Sequence, residues 1–326
     1  MGISYIMTKR RINKQQSARI EKKQKHYRQQ TEIGNQGPTE DGLVIKRFGR
    51  HALVESEYGT RIHCSIRPTI DSLVAGDHVV WQAEGDCQGV VVSRYPRQSS
   101  LGRPDKRGAL RPVAANISQV MVVVSPKPEI SWSLLDSYLV MAEYLQLKAC
   151  IVLNKIDLAC DGLQQQLLRQ YEPLGYTILF TSINEKNHLK KLQHVLDNQT
   201  SVFVGQSGVG KSSLIAGILP LEKEIQTGAI SARTDLGQHT TSSSCLYHIP
   251  SGGMLIDSPG VREFGLWHMP ANEIAKGYRE FKPYLSQCKF RNCNHRNTLG
   301  CALTAAVDAN LVTRTRYENY IKLAEL

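Results

Sequence analysis

The stretch GQSGVGKSS, Gly205–Ser213, decides how the rest of this 326-residue chain is read. It fits G-x-x-x-x-G-K-[ST], with the apolar run SVFVG leading in and SSLIAGIL following. That context predicts a buried strand, a tight loop and a helix. In such a loop the glycines let main-chain N–H groups turn inward around a phosphate. The Lys211 ammonium then reaches the β- and γ-phosphates, and the Ser212 hydroxyl is placed to ligate Mg²⁺. Gly205, Gln206, Ser207, Gly208, Val209, Gly210, Lys211, Ser212 and Ser213 are therefore the candidate phosphate-binding residues, and the ligand is a nucleoside triphosphate.

Upstream of this loop the chain alternates strand and helix. QVMVVVS (119–125) reads as a buried strand, SLLDSYLVMAEYLQL (133–147) as a helix and ACIVLN (149–154) as a second strand. A helix over DGLQQQLLRQYEPLG, the strand TILFTS and a helix over roughly 186–198 complete the run. This rhythm predicts a doubly wound α/β domain whose parallel strands deliver their loops to one sheet edge. ACIVLN ends in Asn154-Lys155-Ile156-Asp157. The Asp157 carboxylate can accept two N–H groups from a guanine edge, where adenine presents a mismatched pattern. The Lys155 stem can lie along the purine plane, and Asn154 can tie this loop to the phosphate loop. Thr181 and Ser182, after the next strand, are placed to support the base from its other side. Beyond the phosphate loop, GGMLIDSPG carries Asp257 as a water-mediated Mg²⁺ ligand and Gly260 as a γ-phosphate sensor. The long polar segment 227–244 reads as a first switch, with Thr240 and Thr241 as alternative Mg²⁺ ligands.

The flanks have different textures. Residues 9–28 hold nine Lys or Arg against Glu21 alone and lack apolar anchors, which predicts a disordered tail that orders on RNA phosphates. NQGPTEDG (35–42) reads as a linker. LVIKRF, HALVES, TRIHCSI, HVVWQ and GVVVSRY are five short strands within about fifty residues. They suit a closed barrel of the OB type, with an SH3-like barrel fitting nearly as well. RQSSLGRPDKRG (97–108) reads as the next linker. At the other end CKFRNCNHRNTLGC brings Cys288, Cys293, His295 and Cys301 together. Three thiolates and an imidazole make a closed tetrahedral set suited to one structural Zn²⁺. Cys64, Cys87, Cys150, Cys160 and Cys245 are scattered and read as plain reduced residues. ANEIAKGYREFKPYL and the stretch Ala302–Leu326 read as helices around the cluster. The divisions expected are a tail and linker (1–40), a barrel (41–96), a nucleotide domain (97–270) and a zinc-binding helical domain (271–326).

The motifs come in an unusual order. NKID and TSI precede GQSGVGKS, and DSPG follows it, so the nucleotide domain is circularly permuted. Such a cut is mild, because all these loops gather at one sheet edge. With a barrel ahead and a Cys/His cluster behind, the chain resembles the RsgA (YjeQ) family of circularly permuted GTPases over essentially its whole length. The resemblance implies an OB barrel, a permuted G domain and a zinc domain. It implies a GTPase slow alone and stimulated by the small ribosomal subunit, acting late in that subunit's maturation and touching its rRNA. Val261 follows DSPG where many GTPases have a water-orienting glutamine, and valine cannot take that part. The switch histidine favoured in the family corresponds to His239, which becomes the candidate catalytic group.

The bulk composition agrees. With 40 Lys+Arg against 29 Asp+Glu the net charge is +11, which favours a polyanionic partner. No apolar run approaches the roughly 20 residues needed to span a bilayer. The start, MGISYIMTKRRINK, lacks a secretory signal, so a cytosolic monomer that cycles between GTP and GDP is expected, with no membrane partner. A second reading is an RNA-binding assembly factor that uses GTP only as an occupancy signal. An ATPase or kinase is a third, and the NKID aspartate argues against it.

Overall fold

The computed structural model describes residues 39–70, 72–85, 88–104, 110–219, 244–257, 269–296 and 298–325. The tail, most of the first switch with His239, Thr240 and Thr241, and the segment carrying Gly260 and Val261 lie outside the described residues, as does Cys87.

The parallel strands form because their sequences are apolar on both faces. β8 (Gln119–Val124) is buried at all six positions, as a strand covered by helices on both sides must be. It is joined through α1 (Trp132–Leu145) to β9 (Lys148–Leu153), then through α2 (Asp161–Tyr171) to β10 (Thr177–Phe180). The chain next passes through α3 (Lys186–Leu196) and returns to the other side of β8 as β11 (Thr200–Val204). The helix α4 (Lys211–Ile218) follows, and β12 (Cys245–His248) and β13 (Met254–Asp257) extend the sheet on that side. The order β10-β9-β8-β11-β13-β12 is parallel except for β12. Strand order therefore reverses between β8 and β11, and the crevice beyond their carboxyl ends is where such sheets take ligands.

The amino-terminal module is a closed five-stranded barrel. Its strands are β1 (Thr39–Phe48), β2 (His51–Ser56), β3 (Arg61–Ile66), β4 (His78–Ala83) and β5 (Gln88–Arg94). They run β1-β2-β3-β5-β4 and close back onto β1, with β3 and β5 parallel. This is the OB arrangement rather than an SH3-like one. Val44, Val54, Cys64, Leu73, Val79 and Val91 fill it.

Two readings of the sequence are corrected here. β1 begins at Thr39, inside the stretch taken as linker, and pairs Thr39–Leu43 with β4. The stretch 97–108 also contains a strand, β6 (Ser100–Pro104), which forms a hairpin with β7 (Leu110–Ala115). Leu101 and Ala114 anchor that hairpin in the main core, which the surrounding Gly, Pro and Arg disguise.

The carboxyl-terminal unit comprises α5 (Ala271–Lys276), a short 3₁₀ turn (Arg279–Phe281), α6 (Ala302–Asp308) and α7 (Arg314–Leu323). The single helix expected from Ala271 onward ends at Gly277. There the main chain presses against Val140 of α1, and a Cβ would lie 2.5 Å from Val140 Cγ1. Stacked Tyr278 and Phe281 (centroids 4.5 Å apart), with Tyr320 edge-on to both, form its small core. No described helix is long and apolar enough to cross a membrane.

Candidate nucleotide and metal sites

Each nucleotide motif emerges at the carboxyl end of a parallel strand. The phosphate loop leaves β11 at Gly205, whose φ of +140° and approach to Val123 exclude a side chain: a Cβ would sit 2.2 Å from the Val123 carbonyl oxygen. Gly210 (φ +96°) starts α4, and a Cβ there would meet Asn154 Nδ2 at 2.3 Å. Lys211 is 6% exposed, and its ammonium donates to the carbonyls of Gly205 (2.7 Å) and Gln206 (2.5 Å) inside the loop. Val209 is buried, while Ser207, Gly208 and Ser213 face solvent. Ser212 is half-buried in the first turn of α4.

The NKID loop folds against this phosphate loop. Asn154 donates from Nδ2 to the Val209 carbonyl at 2.9 Å, and its Oδ1 is buried without a hydrogen-bond partner. Lys155 adopts a left-handed conformation (φ +61°), and its ammonium donates to the carbonyls of Gly208 (2.6 Å) and Lys127 (2.7 Å). Ile156 is half-buried and donates its N–H to the Thr181 carbonyl (3.3 Å), joining the two base loops. Asp157 is exposed, and its Oδ1 accepts the Ser182 hydroxyl at 2.6 Å. Thr181 and Ser182 are both buried at the end of β10. Asp257 closes β13, on the far side of β11 from the base loops.

The β8–α1 loop is a contributor that the motifs did not reveal. Gln206 Oε1 accepts the Ser131 N–H at 3.0 Å, and the Lys127 carbonyl takes both Lys155 and the Ser125 hydroxyl (2.7 Å). Its one sequence signal is position: it follows the strand adjacent to β11, where the sheet order reverses.

At the other end Cys288, Cys293, His295 and Cys301 place their ligand atoms all within 4.8 Å of one another. His295 Nδ1 lies 3.4 Å from Cys288 Sγ and 3.6 Å from Cys301 Sγ, and these two sulfurs are 3.9 Å apart. Zinc–ligand lengths with tetrahedral angles require sulfur–sulfur separations of about 3.8 Å and sulfur–nitrogen separations of about 3.5 Å. The set is thus compatible with zinc. Burial holds the imidazole below its usual pKa, favouring the neutral form a metal needs. Tyr317 and Tyr320 donate their hydroxyls to the carbonyls of His295 (2.8 Å) and Asn294 (2.9 Å), fixing the loop. Cys64 and Cys150, by contrast, are buried thiols pushed up to about 12 by desolvation.

A phosphate loop, an NKxD loop that precedes it in sequence, and one shared sheet edge define a circularly permuted P-loop GTPase. The RsgA GTPase family matches residues 94–267. A small ribosomal subunit biogenesis GTPase RsgA 1 of Vibrio parahaemolyticus is 46% identical over 97% of this chain and 91% of its own. The RsgA of Marinobacter nauticus is 44% identical over 98% and 96% respectively. Among solved structures, YjeQ from Thermotoga maritima aligns with a TM-score of 0.72 at 29% identity, covering 88% of this chain and 98% of its own. YloQ, described as a circularly permuted GTPase, aligns at 0.70 and 26% identity, covering 89% and 96%. The chain belongs to the RsgA GTPase family and is a GTP-hydrolysing enzyme.

Proposed function

We propose that this chain binds Mg²⁺–GTP at the β8/β11 crevice and hydrolyses it to GDP and phosphate on the small ribosomal subunit, late in that subunit's maturation. The observation that carries the reading is the clasp of NKID on the phosphate loop, through Asn154 on Val209 and Lys155 on Gly208. Sequence-distant base and phosphate loops then act on one ligand. Asp157, oriented by Ser182, reads the guanine N–H groups, and the Gly205–Ser213 amides with Lys211 hold the phosphates. Mg²⁺, when bound, neutralises charge on the phosphates, and Ser212, Asp257 and either Thr240 or Thr241 are its proposed ligands. Gly260 is assigned to γ-phosphate sensing and His239 to the attacking water. One structural Zn²⁺ is assigned to the Cys288–Cys301 cluster. The relatives' names supply the ribosomal setting. The net charge of +11 suits rRNA as the surface touched, and the working form in this reading is a cytoplasmic monomer.

Turnover of GTP by the purified chain, alone and with purified small subunits, tests this reading. The expected outcome is a slow basal rate raised at least tenfold by subunits. Asp157→Asn weakens GTP binding on the order of 100-fold, because a charge-assisted pair of hydrogen bonds is lost. A rate indifferent to subunits removes the ribosomal trigger, and unchanged base preference in Asp157→Asn removes the base assignment.

A further inference from the structure

We propose that α1 couples the nucleotide loops to the Cys/His unit, so that guanine-nucleotide affinity and the seating of that unit are linked through one helix. The proposal rests on the reading of the β8/β11 crevice as a guanine-nucleotide site.

The two ends of α1 are gripped by different parts of the molecule. At its start the Ser131 N–H is held by Gln206 of the phosphate loop, 3.0 Å away. Four residues earlier the Lys127 carbonyl shares the Lys155 ammonium with Gly208. Any reorientation of Gln206, Gly208 or Lys155 around a ligand therefore acts on the residues that begin the helix. Five residues on, about 7.5 Å along the axis, Asp136 is fully buried among groups from elsewhere. It accepts from Arg316 and Asn319 (2.8 Å) of α7 and from Tyr171 (2.8 Å) of α2. Arg316 is itself 2% exposed, its other edge bound by Glu280 at 2.7 and 3.2 Å. Its guanidinium lies over Tyr171 and Tyr278. Near the end of α1, about 18 Å from Ser131, Glu143 accepts from Arg279 (2.6 Å) and Lys282 (2.9 Å).

The packing between these anchors is also shared between two cores. Leu135, Tyr138, Leu139 and Ala142 belong to the nucleotide-domain core, while Val140 belongs to the core of the carboxyl-terminal unit under Gly277. A helix clasped on both sides and hydrogen-bonded at both ends shifts as a body, because packed interiors yield by discrete displacement rather than by local compression. Linkage then demands reciprocity. If nucleotide biases the seating of the unit through α1, that seating must bias nucleotide affinity by the same factor, so loosening the Arg316 or Glu143 anchor changes the affinity.

The experiment measures the dissociation constant of fluorescently labelled GDP for the full chain, Glu143→Gln and Arg316→Met, with hydrogen exchange of Arg314–Leu323 recorded with and without GDP. Coupling of ordinary size gives at least a fivefold change in GDP affinity in the interface variants. It also gives a GDP-dependent change of exchange in α7 that Gln206→Ala abolishes. Should Arg316→Met fail to fold, Glu143→Gln and the exchange data decide alone. A merely structural interface would lower the melting temperature yet leave GDP affinity within twofold and α7 exchange indifferent to GDP, and that result overturns the proposal. A wild-type chain that bound no guanine nucleotide would sink the site assignment first and the coupling with it.

Discussion

The barrel and the Cys/His unit both lean on the nucleotide domain, and they are fastened in opposite ways. The barrel is joined largely through main chain. β1 pairs with β12 at Lys46 and Cys245, the Ala115 N–H donates to the Ala75 carbonyl (3.0 Å), and the Asn116 side chain reaches the Gly76 carbonyl. Gly76 (φ +86°) allows this approach, since a Cβ there would stand 2.3 Å from the Ala115 carbonyl oxygen. Among the described residues the Cys/His unit adds no strand to the sheet. It is held by charged side chains packed on α1: the buried Arg316 with Asp136 and Glu280, and the more exposed Arg279 and Lys282 with Glu143. Main-chain attachment spreads its energy over many groups and tolerates side-chain exchange. A buried charge network concentrates it in a few residues, and removing one leaves another charge stranded.

The largest effect follows directly. Arg316→Met strips the fully buried Asp136 of its guanidinium, and an uncompensated buried charge costs about 3–5 kcal/mol. Denaturant unfolding, with loss of the Cys/His unit's exchange protection as a second signal, should show it. Burial alone would lower the Arg316 pKa, but the charges of Asp136 and Glu280 outweigh it and keep the guanidinium charged, while burial pushes the Asp136 carboxyl up. The barrel has a comparable contact at Arg97, beside the more exposed pair of Glu55 with His248 of β12 (2.6 Å). Arg97 forks onto Asp77 (2.6 and 2.7 Å) and donates to the Ser72 carbonyl (2.7 Å). Arg97 is 13% exposed, Arg94 lies 3.9 Å from the same carboxylate, and the Val74 N–H also reaches it. Arg97→Met is therefore expected to cost about 2 kcal/mol, below the range for a stranded buried ion. Equal losses in the two variants would erase the distinction between the attachments.

Much of this was readable from local pattern. GQSGVGKSS and NKID announce themselves because phosphate and base recognition fix residue types at short spacing, and β8 and β9 because covered strands must be apolar throughout. The five barrel strands showed in β-branched runs that suited an OB closure, and β3 lying parallel to β5 separates that closure from the SH3-like alternative. Other features carry no local trace. β12 is four residues long and owes its place to pairing with β13 and β1. The partners Asp136 and Arg316 stand 180 residues apart, and nothing in RTRYENY marks one arginine for burial. The Ser131–Gln206 contact is equally silent, being a main-chain donor meeting a side chain 75 positions away.

The finest test of the contrast uses pH at the least buried part of the network. Burial of Glu143 raises its pKa, but the hydrogen bonds and charges of Lys282 and Arg279 outweigh that, leaving it below the usual 4.5. A carboxyl depressed on folding stabilises the folded state fully above its unfolded value and loses that contribution as pH falls through the folded one. Wild type should therefore exceed Glu143→Gln in melting temperature by a small constant margin above pH 4.5, and the margin should shrink towards zero below it. The Lys282 ammonium is half-exposed, so salt should narrow the margin as well. A margin that persisted unchanged into acid would mean that Glu143 acts through packing rather than charge. Glu143 would then hold the Cys/His unit to α1 as a packed contact beside Val140, leaving Asp136 with Arg316 as the charged fastening.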